Sequence, residues 1–257
     1  MKALTRKVNW CKSMYDLSKT SMISIEIGTK CNMKDRHKEC PINYRKIVNK
    51  RCSLTVSAVN ENIITQAKKL NFSGYFAFHL FNEPMLDVDL ILKIIEMNPT
   101  EKYLLWTNGT LLRRNVEGND YLKKFKMVCI TCYDKVNMPF YKLLNEHYGN
   151  IKIFPGIMDD RMDIYTREHE NHFSCKKPLF ELVIDHYGNI LLCTFDYDNT
   201  YSIGNVFDVD LVSIVNSKRY QNILKFAHFR ILDQKECPEI CKKCIEPWIT
   251  YPHYFDL

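Results

Sequence analysis

Five short, almost continuously apolar runs, each followed by an amphipathic stretch, restrict the fold more than any other feature of the chain. The runs are Met22–Ile27, Gly74–Phe81, Lys102–Thr107, Lys126–Thr131 and Ile151–Phe154. Strands this apolar have no solvent face, which is the mark of parallel strands covered on both sides. Between the first two, Val56, Val59, Ile63, Ala67 and Leu70 fall at helical spacing over residues 55–70. Further helices are predicted over residues 88–97, stopped near Pro99, over 121–125 and over 140–147. The pattern predicts parallel βαβ units.

After Pro155 it changes. Residues 158–174 are polar and irregular. Leu182–Ile184 and Ile190–Leu192, joined by His186-Tyr187-Gly188-Asn189, read as a β-hairpin, and residues 209–226 as a helix. The chain therefore divides into an exposed leader of helical tendency (1–20), a β/α domain (21–157) and a smaller domain (158–257).

Composition bears on compartment and partners. Eleven cysteines among 257 residues are many, and the start of the chain has no apolar core of a signal peptide. No apolar run approaches the ~18 residues of a membrane span. A cytoplasmic, reduced protein is expected, whose cysteines bind metal or clusters rather than pair. The net charge of +6 is mild and spread out, which argues against nucleic acid as a partner.

The cysteines fall into two sets. Cys31, His37 and Cys40 follow the first strand directly, on a loop at its carboxyl end. That place suits a metal or iron–sulfur site at the mouth of a β/α fold, although a loop with two plain thiols is the simpler reading. In the tail, Cys241-x-x-Cys244 brings two sulfurs to one side of a turn. With Cys175 and Cys193 it makes a four-thiolate set suited to [4Fe–4S] or to a structural zinc ion.

Several motifs, in order, resemble one family. Cys175-x12-Gly188-x4-Cys193 followed by Cys241-x-x-Cys244, and YSIGNVFDVDLVSIVNSKRY at 201–220, look like the twitch or SPASM extension of radical S-adenosylmethionine enzymes. Upstream, TKCN and ECPI resemble the two ends of that family's cluster loop, FNEP its GGEP motif, and WTNGT the segment ending its next strand. In size and layout the chain is similar to the aminocyclitol dehydrogenases of the group. The resemblance implies a partial (β/α)6 TIM-like barrel followed by a small hairpin-plus-helix iron–sulfur domain. It also implies two [4Fe–4S] clusters and S-adenosylmethionine, cleaved to a 5′-deoxyadenosyl radical that takes a substrate hydrogen. An external one-electron reductant such as flavodoxin or ferredoxin is implied as well. By the same match Glu83 meets the cosubstrate's amino group, Asn82 stands where a glycine is usual, and Thr107 and Asn108 contact the ribose or methionine end.

The cluster loop departs from the usual CxxxCxxC. Cys31 and Cys40 are separated by eight residues, with Asp35 and Lys38 where cysteines would stand if counted from Cys31. The third ligand is His37, or Cys52 if the loop folds back, or the site has lost its normal cluster. Tyr133 and Arg161 are the catalytic candidates. His79 and Trp106 on the strands, and Arg167 and His172 ahead of the tail cysteines, are weaker ones. Cys129 and Cys132 read as core thiols on opposite strand faces. The expected substrate is a small polar molecule, sugar- or aminocyclitol-like, since only about 20 residues precede the first strand and leave no separate leader-peptide domain. The auxiliary cluster would accept an electron or support the fold. The alternatives are a peptide-modifying maturase and a degenerate, non-catalytic iron–sulfur or zinc protein.

Overall fold

The computed structural model describes residues 17–36, 40–45, 53–156, 175–229 and 238–244. The five apolar runs form β1 (Met22–Ile25), β2 (Tyr75–Phe78), β3 (Lys102–Thr107), β4 (Met127–Cys132) and β5 (Ile151–Pro155). They pair in parallel in the spatial order β5-β4-β3-β2-β1. Between β1 and β2, α1 (Val56–Ala58), a π-helical stretch (Val59–Ile64) and α2 (Thr65–Lys69) run end to end. Thr55 opens them by accepting a hydrogen bond from Ala58 N. α3 (Val88–Met97) buries Ile91, Ile94 and Ile95. α4 (Met138–Tyr148) begins with Pro139 in its first turn and ends on Gly149 at φ 71°. The helix expected at 121–125 is a 3-10 stretch, Glu117–Lys124.

Strand alternation divides the side chains between two cores. Ile23, Ile25, Phe76, Phe78, Tyr103, Leu105, Val128 and Ile130 pack with Val59, Ile63, Ile91 and Leu144 of the covering helices. On the opposite face, the lumen of the partial barrel, Met22, Ala77, Leu104, Met127 and Cys129 form a smaller floor. Cys129 belongs to the lumen and Cys132 to the helix-facing core, as alternation requires.

The expected hairpin is present, and its position is the main surprise. β6 (Glu181–Ile184) lies parallel to β1, with Met22 opposite Glu181 and Ile25 opposite Ile184. β7 (Asn189–Leu191) and β8 (Gly204–Asn205) then add antiparallel. One sheet of order β5-β4-β3-β2-β1-β6-β7-β8 therefore joins the barrel to the tail. At the hairpin turn Gly188 has φ +80°, and a Cβ there would sit 2.6 Å from the Phe207 ring.

α5 (Lys177–Phe180) leads into β6. The helix read over 209–226 is two, α6 (Leu211–Val215) and α7 (Lys218–Phe229), broken at Asn216–Ser217; α8 (Glu239–Lys243) follows. Only the end of the leader falls within the described residues. There Leu17 is buried, and its N–H donates to Leu70 O at 3.1 Å.

Candidate active site

Loops at the carboxyl ends of β1, β2 and β3 are tied into one network. Glu83 N donates to Lys30 O at 2.8 Å, fixing the FNEP loop against the cysteine loop. The buried Glu83 carboxylate takes three donors. Oε1 accepts from Met85 N at 3.0 Å and from Thr107 Oγ1, and Oε2 accepts from Asn108 N at 2.8 Å. Thr107 Oγ1 itself accepts from Gly109 N at 3.0 Å, so its own hydrogen is directed to Glu83. Asn108 Nδ2 donates to Asn32 Oδ1 at 2.9 Å, and Asn108 Oδ1 accepts from Thr110 N at 3.0 Å. The Asn108 side chain also hydrogen-bonds the Cys31 thiol. The structure thus brings together Cys31, Glu83, Thr107 and Asn108, four residues singled out from the sequence.

Burial at this mouth raises two of its ionisable groups, Glu83 and Cys31, above their ordinary values. Burial lifts the Glu83 carboxyl above its usual range against the three donors that pull it down. Burial pushes the Cys31 thiol up to about 11, with Glu83 and Cys40 adding to the effect and Met33 N opposing it. Metal binding at such a thiol must release its proton. His37 and Cys52 lie outside the described residues.

Asn82 carries the plainest sign of a missing partner. Both polar atoms of its side-chain amide are buried and have no hydrogen-bond partner among the described residues. Each buried unpaired polar group costs about 1–3 kcal/mol. A ligand with both donors and acceptors, such as the amino-acid end of S-adenosylmethionine, would satisfy the amide. Glu83 also has room: a carboxylate offers about four acceptor sites, and three are taken. The residues present therefore fit that cosubstrate.

Below the mouth the lumen is lined by a stack of rings. Trp106 lies 5.4 Å from His79 and 5.3 Å from Phe154, each at 20° between planes. Trp106 Nε1 donates to Thr131 Oγ1 at 2.8 Å. His79 Nε2 hydrogen-bonds Ser24 Oγ at 2.9 Å, and Ser24 Oγ donates to Glu181 Oε1 at 2.5 Å. Lys177 Nζ pairs with Glu181 Oε2 at 3.3 Å, with both side chains buried. Burial alone would raise the Glu181 carboxyl; Lys177, His79 and Ser24 hold it below its usual range. Tyr133 follows β4 directly, against Gly156 beyond β5. Arg161, Arg167 and His172 fall outside the described residues, so of the two leading catalytic candidates only Tyr133 has a described position.

A second buried ion pair was not anticipated. Arg45, beyond Cys40, pairs with Glu26 at the end of β1 and lies 3.5 Å from Asp185 in the hairpin. Its guanidinium stacks over Phe81 at 4.5 Å, and its Nε donates to Tyr197 O at 3.3 Å. His186 N donates to the other Glu26 oxygen at 3.1 Å. The cysteine loop is thereby clamped to both the barrel and the tail. The signal was visible: Ser24 and Glu26 are polar residues at period two in MISIEI, which puts both on the lumen face.

In the tail, Cys175, Cys193, Cys241 and Cys244 are thiols rather than disulfides, each half-buried. Cys175 interacts electrostatically with both Cys244 and Cys193. Lys177 N donates to Cys175 Sγ at 3.4 Å. Burial pushes Cys175 up to about 11 and Cys193 up to about 12. Among the described residues no three such side chains come together closely enough to hold an ion, so it is the chemistry of the four thiols rather than their spacing here that matches the donor set of a cluster.

Residues 175–245 match the SPASM family, described as an iron–sulfur cluster-binding domain. The tail therefore matches the SPASM model over nearly its whole described length. The chain is similar, at 22% identity over 254 residues (87% of this chain, 92% of the relative), to the S-adenosyl-L-methionine-dependent 2-deoxy-scyllo-inosamine dehydrogenase of Niallia circulans. Among solved structures it resembles BtrN in complex with AdoMet and 2-DOIA, with TM-score 0.68, 21% identity and coverage of 88% and 93% of the two chains. It also resembles anSMEcpe with bound AdoMet, with TM-score 0.55, 14% identity and coverage of 86% and 88%. The fold is theirs: a partial TIM-like barrel followed by the SPASM domain. The resemblance to radical S-adenosylmethionine enzymes with a twitch/SPASM tail, read from the motifs, is borne out. No helix among the described residues is long and apolar enough to cross a membrane.

Proposed function

We propose that this chain is a radical S-adenosylmethionine oxidoreductase that removes hydrogen from a small polar, aminocyclitol- or sugar-like substrate in the barrel lumen. The observation that carries the reading is the mouth of the barrel. There Glu83 acts electrostatically on the Cys31 thiol, Asn82 next to it in the chain carries an amide with no partner among the described residues, and the His79–Trp106–Phe154 stack lines the lumen. The relative that dehydrogenates 2-deoxy-scyllo-inosamine supports the substrate class.

In this reading Cys31 and Cys40, with His37 as third ligand, hold the first cluster, and Cys175, Cys193, Cys241 and Cys244 hold the auxiliary one. When bound, the first cluster and S-adenosylmethionine together supply one-electron cleavage of the sulfonium and a radical that takes hydrogen. The protein's part is placement. Asn82 and Glu83 orient the amino-acid end of the cosubstrate, and Thr107 and Asn108 hold Glu83 in position. The ring stack excludes water and presents apolar faces to the C–H side of the substrate, and Tyr133 stands at the rim. Arg161 is the remaining catalytic candidate. An auxiliary cluster held by Cys175, Cys193, Cys241 and Cys244 would supply an acceptor for the second electron of an alcohol oxidation or a support for the fold, and an external one-electron reductant such as flavodoxin or ferredoxin would serve the site of Cys31 and Cys40. A reducing, cytoplasmic setting suits both thiol sets.

The test is anaerobic incubation of the iron-loaded protein with reductant, S-adenosylmethionine and 2-deoxy-scyllo-inosamine, following 5′-deoxyadenosine and the ketone by mass spectrometry. Both products are expected in equal amounts. 5′-Deoxyadenosine without ketone would leave the chemistry and overturn the substrate class. Neither product from a two-cluster protein would favour the non-catalytic alternative.

A further inference from the structure

The buried Lys177–Glu181 pair is the strongest feature that the proposed chemistry does not use. Lys177 stands two residues after Cys175, at the start of α5, and its backbone N–H already donates to the Cys175 thiol. Its side chain is 3% exposed and that of Glu181 1%, so the two charges are screened by almost no water. Lys177 acts electrostatically on Cys175 and on Cys193. Glu181 holds the ammonium from β6, opposite Met22 and bonded to Ser24, and it too acts electrostatically on Cys175, with the opposite sign. The positive end of the pair thus adjoins the tail thiols, and the negative end reaches the barrel lumen.

Burying an ion pair is seldom a gain in stability. Apolar residues of the same volume often do as well or better. A pair retained beside a redox site has another use. One-electron reduction of a four-thiolate iron–sulfur site adds one negative charge and breaks no bond. In a dry setting a fixed ammonium next to two of the thiolates makes that added charge easier to hold, and a fixed carboxylate makes it harder.

We propose that Lys177 is a positioning charge that raises the reduction potential of the auxiliary cluster, with Glu181 setting how far. The inference rests on the reading of Cys175, Cys193, Cys241 and Cys244 as cluster ligands. Its consequence is that the cluster is adjusted to accept an electron arriving from the lumen rather than merely to brace the tail.

The experiment is a redox titration followed by electron paramagnetic resonance, in a Cys31→Ala/Cys40→Ala background so that only the tail cluster is present. Lys177→Gln should shift the one-electron equilibrium at least tenfold toward the oxidised form, about 59 mV lower. Glu181→Gln should shift it the opposite way, the double variant should return toward the starting value, and Lys177→Arg should stay within threefold of it. Opposite signs for the two single variants are a readout that a purely structural role does not produce. Should Lys177→Gln lose iron, Glu181→Gln still tests the sign on its own. Potentials that do not move, or that both fall, overturn the role of Lys177 and leave the cluster assignment standing. A background protein with no cluster overturns the assignment itself, and this inference with it.

Discussion

Glu83→Gln is the most informative single substitution, because the structure gives Glu83 more to do than hold a cosubstrate. The carboxylate accepts from Met85 N, Thr107 Oγ1 and Asn108 N, and so ties the ends of β2 and β3 together. An amide cannot repeat this. Placed one way its NH2 faces Asn108 N–H; placed the other it faces Met85 N–H. One hydrogen bond to a charged group is lost, worth about 1.5–3 kcal/mol, and one donor is left buried and unpaired, at about 1–3 kcal/mol. Burial disfavours the ionised carboxyl, so a neutral amide recovers part of this. The lower end, about 2.5–3 kcal/mol, is the expected cost. At ~2–4 °C per kcal/mol for a domain of this size, the unfolding midpoint should fall by roughly 5–12 °C. Circular dichroism of the anaerobic protein, with and without S-adenosylmethionine, measures it. Cosubstrate affinity, by calorimetry, should fall about tenfold or more with iron content retained, since one charge-assisted contact is lost as well. A midpoint lowered by less than about 2 °C would refute the network argument, and unchanged affinity would remove Glu83 from the cosubstrate site.

Arg45→Ala should destabilise by about 3–5 kcal/mol, because it strands Glu26 uncompensated in the core. Burial already holds the Glu26 carboxyl above its usual range. A carboxyl raised on folding stabilises at low pH and loses that contribution as pH rises through its folded value. The deficit in urea midpoint should therefore be smallest near pH 5 and largest near pH 8, and a deficit independent of pH would sink the assignment. Cys31→Ala/Cys40→Ala should halve the iron from about eight to about four atoms per chain, and an unchanged content of about four would mean that only the tail binds a cluster. His37→Ala should remove the first cluster while Cys52→Ala spares it, as seen by visible absorption; the reverse result would give the ligand role to Cys52.

The parallel strands were legible because five apolar runs leave no other arrangement, and the mouth was legible because its motifs are local. TKCN, FNEP and WTNGT each sit within a few residues of a strand end, so knowing the strands placed Cys31, Glu83 and Asn108 together. Long-range partners were not legible. Nothing local in ELVI says that β6 will lie beside β1, since its apolar pattern suits any buried neighbour. Lys177 carries no local signal in the sequence, and only the register of Glu181 opposite Met22 reveals why it is buried. Arg45 was missed for the same reason: its partners Glu26 and Asp185 are 19 and 140 residues away. His79 and Trp106 were only weaker candidates from their place on the strands, and both prove to be half-buried in the lumen.

The pairing of β6 with β1 has a consequence for how such a protein can change. The two thiol sets hang from neighbouring strands of one sheet, held by a four-residue ladder from Met22 to Ile25 against Glu181 to Ile184. Slipping that ladder by one residue would turn every side chain of β6 to the opposite face and eject Glu181 from the lumen. The span between the two thiol sets is therefore set by backbone pairing rather than by the loops. Under the proposed function, the lumen residues on β3 and β5 that would meet the substrate are free to vary without altering that span. One electron path can in this way serve a succession of substrates, with the sheet as a fixed ruler and the lumen as the interchangeable part.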